Sequence, residues 1–200
     1  MVRHYTKYVL GALTIVFLLV LTATTGQIIS GDDTKSSVFD PSISNVKSNE
    51  LAASVHELMN EVRGEHGLDS LYYDCELASI ALRHSEAMVD DGFFDHVNKN
   101  GDTPTDRAYV DGFTCVKDRG SSYTVEKVGE NLYHGWLYSS LSTNGKHDWL
   151  SVEELAEKIV DDLMNSPEHR ANILDPDFEK HGLGVAITHE YGFYVTQDFC

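Results

Sequence analysis

An α+β domain is predicted for residues 49–200 from the spacing of its apolar residues. Helical periods recur along most of the segment, several of them open or close on capping signals, and the C-terminal stretch switches to short β-rich runs. Helices followed by strands packed edge to edge belong to that class and not to a βαβ fold.

The elements follow in order. Leu51, Val55, Leu58, Met59 and Val62 fall on one helix face, with Ser48 or Asn49 as the expected N-cap and Gly64 or Gly67 near the end. A second helix is expected after Asp74, through Leu77, Ile80, Ala81, His84 and Met88, stopping at Gly92. Pro104 suits the first turn of a short helix closed by Gly112. Ser151 with Glu154 three residues on is a capping box that launches Leu155, Ile159, Val160, Leu163 and Met164. Gly182 to Thr188 and Phe193 to Cys200 are β-rich runs around the turn-forming His189-Glu190-Tyr191-Gly192, and read as a hairpin. Trp136 and Trp149 flank a Ser-, Gly- and Asn-rich stretch, Tyr138 to Lys146, which reads as an exposed surface loop. Tyr191, Phe193 and Tyr194 are expected to pack in the sheet.

Ahead of the domain, residues 1–25 hold Arg3 and Lys7, no acid, and an apolar run from Tyr8 to Ala23. That is the layout of a secretory signal peptide or an N-terminal transmembrane anchor, and either delivers the rest outside the cytoplasm. Residues 26–48, rich in Ser, Gly and Asp, read as a flexible linker.

The 200-residue chain carries 32 acidic against 15 basic side chains, a formal charge of −17. Without the two leader bases the balance is 32 against 13, or −19. So acidic a domain is a poor match for nucleic acid or anionic lipid, whose affinity comes from Lys and Arg contacts. Membrane contact is expected only through the N-terminal segment, and a monomer is expected. Three cysteines, at 75, 115 and 200, are too few for a disulfide scaffold and form no Cys-x-x-Cys zinc clip.

The ten histidines invite metal or acid–base readings. His56-Glu57 begins like a zinc-protease motif, but Asn60 stands where the second imidazole must be. No Gly-x-Ser-x-Gly elbow or phosphate loop occurs. His66, His147 and His189 lie in polar stretches and are expected to be solvated. Denser in chemistry are Phe93-Phe94-Asp95-His96, Val128-Gly129-Glu130-Asn131-Leu132, and the run from Ser166-Pro167-Glu168-His169 to Asn172. Taken singly, these read as structural histidines and a carboxylate satisfying loop amides.

Taken in order, the segments HSEAMVDDGFFDHVNKNGDTPTDRAYVDGF, VGENL, MNSPEHRANILDPDFEKHGLGVAI and FYVTQDFC resemble the CAP superfamily of cysteine-rich secretory proteins, antigen 5 and pathogenesis-related 1 proteins. The likeness is to its prokaryotic SCP-like extracellular branch and covers about Leu51 to Cys200. It implies an α-β-α sandwich with a central antiparallel sheet between helical layers, and a cleft whose cardinal residues fall on His96, Glu130 and His169. The second family acid falls near Ser166, a departure from the animal and plant pattern. The resemblance also implies a disulfide between Cys115 and Cys200, with Cys75 free and buried. Pairing of Cys75 with either partner, or between chains, is the alternative.

Two neutral imidazoles, with Glu130 as a third candidate, offer ligands for Zn²⁺ or another divalent cation. Ser166, His169 and Glu130 form an alternative set of nucleophile, base and orienter, if the hydroxyl reaches the imidazole. Arg107 is expected to anchor its helix through Asp106 or a backbone carbonyl, Asn131 to bond loop amides beside Glu130, and Arg170 and Asn172 to brace the loop carrying His169. The functional expectation is an exported module at the cell surface or outside the cell, binding an extracellular or envelope ligand. A hydrolase of peptides or envelope polymers is the alternative.

Overall fold

The computed structural model describes residues 41–200 except 119 and 121. The leader 1–25 and most of the linker therefore lie outside the described residues. The elements are α1 (Pro41–Glu65), β1 (Tyr72–Tyr73), α2 (Cys75–Asp91), α3 (Pro104–Val110), β2 (Val116–Asp118), β3 (Tyr123–Val125), β4 (Gly129–Trp136), β5 (Tyr138–Leu141), β6 (His147–Trp149), α4 (Val152–Asn165), α5 (Pro167–Ile173), β7 (Lys180–Ile187) and β8 (Gly192–Phe199).

Local signals account for most helix ends. Asp74 caps α2 by accepting from the Glu76 and Leu77 amides, and Gly92, at φ 62°, closes it in the left-handed region where a Cβ is unfavourable. Both α3 and α4 open on reciprocal capping boxes, Thr103 with Asp106 and Ser151 with Glu154. The first helix differs from expectation. It starts at Pro41, so Ser48 and Asn49 lie within it and residues 41–48 are not linker. Proline is at home at the first helical position, where its missing N–H has no intrahelical partner to lose.

The central sheet has the order β1-β7-β8-β4. The pairs β7–β8 and β4–β8 are antiparallel, but β1 pairs parallel with β7, so the sheet is mixed and not purely antiparallel. β1 and β7 are not joined by a hairpin, so no turn imposes opposite directions on them. Alternation along β7 and β8 sorts the side chains between two helical layers. Leu183, Val185, Phe193, Val195 and Phe199 meet α1 and α4 in the larger core. On the opposite face α2 lies directly on β7, because Gly182 and Gly184 carry no side chain: a Cβ there would meet Ala78 N at 2.0 Å and Leu82 N at 2.1 Å. Ser85 Oγ uses the close approach to donate to Gly184 O at 3.0 Å. Gly184→Ala is expected to cost about 1–3 kcal/mol through overpacking, read as a lower urea midpoint with an unchanged slope.

The stretch expected as a loop after Trp136 is the hairpin β5–β6. Among the described residues no helix is long and apolar enough to cross a membrane.

Candidate functional site

The VGENL segment is not a loop. It opens β4, the edge strand of the sheet, which pairs only with β8. Alternation turns Glu130 to the face carrying α2 and α3, and Asn131 to the face carrying α4 and α5. The two predicted histidines therefore approach the same strand edge from opposite layers.

His96 lies in the segment between α2 and α3, which is folded by its own side chains. Asp95 Oδ1 accepts from Val97 N at 2.9 Å, and Asn98 Oδ1 accepts from Asn100 N and Asp102 N at 3.0 and 2.9 Å. Arg107, on α3, reaches across this segment and donates from Nη1 to the carbonyls of His96 at 2.8 Å and Asp102 at 3.3 Å. Its Nη2 donates to Glu130 Oε2, and His96 Nδ1 lies 2.7 Å from Glu130 Oε1. Arg107 thus pairs with Glu130, a partner sequence reasoning did not assign it.

The other histidine is placed by asparagines. Asn131 Nδ2 donates to His169 O at 3.2 Å and to Gln197 Oε1 at 3.1 Å. Asn172 Nδ2 donates to Glu130 O at 3.1 Å and Asn131 Oδ1 at 2.8 Å, tying α5 to the edge strand. The far end of α5 is held from α1 by the buried Arg63, whose Nη1 donates to Ile173 O at 2.7 Å. Arg170 does not brace the His169 segment: it turns outward to His66 Nε2 at 3.1 Å.

The electrostatics follow from burial. Glu130 and Arg107 are buried, whereas the His96 side chain is 53% exposed and its acceptor only 2%. The bond to Glu130 raises the His96 pKa, with desolvation opposing it. This coupling stabilises the fold below the ordinary imidazole pKa and is lost as pH rises through the elevated one. His169 moves the other way. Burial lowers its pKa first, and the neighbouring charge of His96 lowers it further. The two imidazoles are thus shifted in opposite directions.

A bond from Nδ1 to a carboxylate settles the His96 tautomer: the neutral ring carries its proton on Nδ1 and leaves the Nε2 lone pair available. His96 therefore presents a nitrogen lone pair of the kind a divalent cation takes. Glu130 spends one oxygen on His96 and the other on Arg107, so its contacts here orient the imidazole. Among the described residues no three His, Cys, Asp or Glu side chains gather as a metal-binding group. The serine set is not assembled either. Ser166 caps α5 without a side-chain hydrogen bond, and Glu130 orients His96 instead of His169.

Sequence reasoning missed Asp198. It is the register partner of Glu130 across β4 and β8 and is fully buried, and burial followed by the Glu130 charge holds its carboxyl well above the usual carboxylate range. Only the preceding Gln-Asp pair in an otherwise apolar strand hinted at it. His56, from the incomplete protease motif, stacks instead on the buried His181, and burial pushes the latter down to about 3. Asn60 bonds both backbone groups of Leu71, at 3.1 and 2.8 Å, which explains an Asn there. His147 is not simply solvated but half-buried among aromatic rings.

Cys115 and Cys200 form the expected disulfide, with Cα atoms 5.4 Å apart. Cys75 is free as expected but exposed, not buried. It occupies the first turn of α2, where the inward positions begin only at Leu77.

Comparison with known proteins agrees with this architecture. The profile of the cysteine-rich secretory protein family, CAP, matches residues 56–199. Over 145 residues the chain is 33% identical to the uncharacterized protein YkwD of Bacillus subtilis (strain 168), covering 72% of this chain and 45% of that protein. It is 28% identical over 145 residues to the uncharacterized membrane protein YlbC of the same organism, covering 72% of this chain and 32% of that one. The chain thus spans less than half the length of these relatives. Among solved structures, an extracellular SCP-domain protein of Bacillus anthracis superposes with a TM-score of 0.58 at 23% identity, over 80% of this chain and 43% of that one. An outer surface protein of Borrelia burgdorferi superposes with a TM-score of 0.55 at 17% identity, over 75% of this chain and 91% of that one. With its helical layers on a four-stranded sheet, its motifs in order and most of its length matched, the chain belongs to the CAP family, the cysteine-rich secretory proteins.

Proposed function

We propose that this chain is an exported CAP-domain protein working at the cell surface or outside the cell, and that the cleft over β4 binds an extracellular or envelope ligand with a divalent cation between His96 and His169. The location draws on the signal-like leader, the disulfide, and similar proteins described as extracellular or outer-surface. The observation that carries the cleft reading is the 2.7 Å contact between His96 Nδ1 and Glu130, itself fixed by Arg107. A carboxylate behind one ring nitrogen is the support that metal-ligating imidazoles use. Zn²⁺ or a similar ion would supply a Lewis acid to which a ligand oxygen binds. Glu130 orients the ring, Arg107 neutralises Glu130, and Asn131 with Asn172 holds α5 beside the edge strand.

The test is metal analysis of the purified protein, wild type against His96→Ala/His169→Ala. About one equivalent of Zn²⁺ is expected in the wild type near neutral pH and a loss of at least tenfold in affinity in the variant. Equal, near-zero occupancy in both proteins sinks the metal proposal. Metal binding is expected to weaken as pH falls, because the ion competes with the proton that Glu130 favours on His96.

The second reading, hydrolysis of peptides or envelope polymers, rests on the same pair of imidazoles facing one strand edge. It requires turnover that disappears in His169→Ala while ligand binding persists.

A further inference from the structure

The face of β4 that presents Glu130 continues outward through Leu132, His134 and Trp136. From Phe94 a band of rings runs along it, with Tyr194 of β8 packed 5.9 Å from Phe94 and 4.7 Å from His134. Phe94 lies 6.2 Å from His134, His134 lies 6.0 Å from Trp136, and Trp136 lies 5.6 Å from Tyr138. On the β5–β6 hairpin the band continues through His147, 4.5 Å from Tyr138 and 4.8 Å from Trp149, and ends on Tyr191, 4.9 Å from Trp149. Each distance is between ring centroids, so the ring contacts are unbroken from Phe94 to Tyr191.

Hairpin packing alone does not explain this ribbon. Rings that served only to fasten β5–β6 would be covered by it, yet Trp136 is 44% exposed and Trp149 51%. Phe94, at the end away from the hairpin, is 52% exposed. Leaving such rings in water forgoes the stabilisation that burying their apolar area would bring. A contiguous run of them marks a contact surface.

The ribbon is also held rigid. Tyr191 is the only described non-glycine residue with positive φ, at 66°, a strained conformation that persists only where its surroundings impose it. Its carbonyl accepts from Leu137 N at 2.9 Å, and Leu137 O accepts from Leu150 N at 3.0 Å, which clamps the hairpin to the β7–β8 turn.

The chemistry selects the occupant. The ribbon contains no Lys or Arg, and the chain carries −17, so polyanions and anionic lipid surfaces are repelled. Beside the rings the hairpin carries the hydroxyl of Ser139, the carboxylate of Asp148 and one base, Lys146. An extended neutral polysaccharide complements all three features: apolar pyranose faces for the rings, hydroxyl donors for the acceptors, and no charge to repel. We propose that the ribbon from Phe94 to Tyr191 is a binding platform for a neutral, extended glycan, with sugar rings stacked on Trp136 and Trp149. The proposal rests on the surface location argued above but not on metal in the cleft.

Trp136 and Trp149 are the only two tryptophans in the chain, so its tryptophan emission reports on this platform. The full-length protein is titrated with cellohexaose and with the hexamer of β-1,4-linked N-acetylglucosamine. At least one is expected to change the emission saturably. Trp149→Ala, read through Trp136, and Trp136→Ala, read through Trp149, are each expected to weaken binding at least tenfold, with unchanged circular dichroism. His169→Ala is expected to bind like the wild type. Because the wild-type titration needs no variant, it decides the matter even if a substituted hairpin unfolds. No emission change with either hexamer overturns the proposal. So does binding that survives both tryptophan replacements, or that disappears in His169→Ala, which would put the sugar in the cleft. An emission shift produced by phosphatidylcholine vesicles or by raised protein concentration, and by neither hexamer, overturns it in favour of a membrane or a second copy. Loss of metal binding in His169→Ala with glycan binding intact would separate the two sites; absence of metal in the wild type would leave the glycan result standing while the cation reading fell.

Discussion

Replacing Glu130 with Ala is expected to destabilise the domain by about 3–5 kcal/mol, the cost of stranding one member of a buried ion pair. Arg107 and Glu130 are both buried, so the guanidinium left behind cannot be rehydrated without opening the segment that carries His96. Its remaining partners, the carbonyls of His96 and Asp102, supply no compensating charge. The measurement is urea denaturation at neutral pH, and a loss under about 1 kcal/mol, the range of an exposed pair, would overturn this account.

Asp198 sharpens the test. It faces Glu130 in register, and burial and the Glu130 charge raise its carboxyl pKa, while Arg107 pulls the other way. In Glu130→Ala and Glu130→Gln alike, removing the Glu130 charge lets Asp198 ionise and offset part of the Arg107 charge, and Gln keeps the shape and a polar oxygen that Ala lacks. Glu130→Gln is expected to lose less than Glu130→Ala, and Glu130→Gln/Asp198→Asn to lose more than Glu130→Gln, because it leaves Arg107 no carboxylate at all. A raised carboxyl pKa contributes stability that is present at low pH and lost as pH rises through the folded value. Asp198→Asn alone is therefore expected to flatten the decline in stability toward alkaline pH.

The second large effect is expected at the disulfide. Cys115 and Cys200 close a loop with a sequence separation of 85, for which the chain-entropy relation gives about 4–5 kcal/mol. Both residues are buried, and the backbone of Cys200 exchanges hydrogen bonds with Lys180, so the bridge pins β8 to the segment before β2. Cys115→Ala/Cys200→Ala is expected to lower the thermal midpoint by roughly 10 °C or more, since about 1 kcal/mol corresponds to roughly 2–4 °C in a domain of this size. Equal midpoints for wild type and variant would show that the bridge contributes nothing. Alkylation of the folded, unreduced protein is expected to modify one thiol, the exposed Cys75.

Several elements of this protein were legible because their causes are local. Asp74 and Gly92 bracket α2, Ser151 and Glu154 launch α4, and the change of period before Gly182 marks the last hairpin, each within a few residues. The motifs of the CAP resemblance also pointed to the Cys115–Cys200 pair, which the structure forms. Strand β4 was not legible, since its partner β8 lies far along the chain and nothing in VGENL distinguishes an edge strand from a loop. The partners of Glu130 were hidden for the same reason: His96, Arg107 and Asp198 come from three separate stretches, and only folding makes them neighbours. Cys75 shows the complementary limit, because a small shift along a helix decides between core and water.

By itself, then, the sequence determined the helices with their own caps, the final hairpin, and the family. Only the tertiary structure decided which side chains touch. It paired Glu130 with His96 and Arg107, and it brought aromatic residues from separate segments into one contiguous band. The physical reason is that capping and periodicity act over one or two turns of chain, whereas ion pairing, burial and ring contact depend on the distances that a sheet and its helical layers impose.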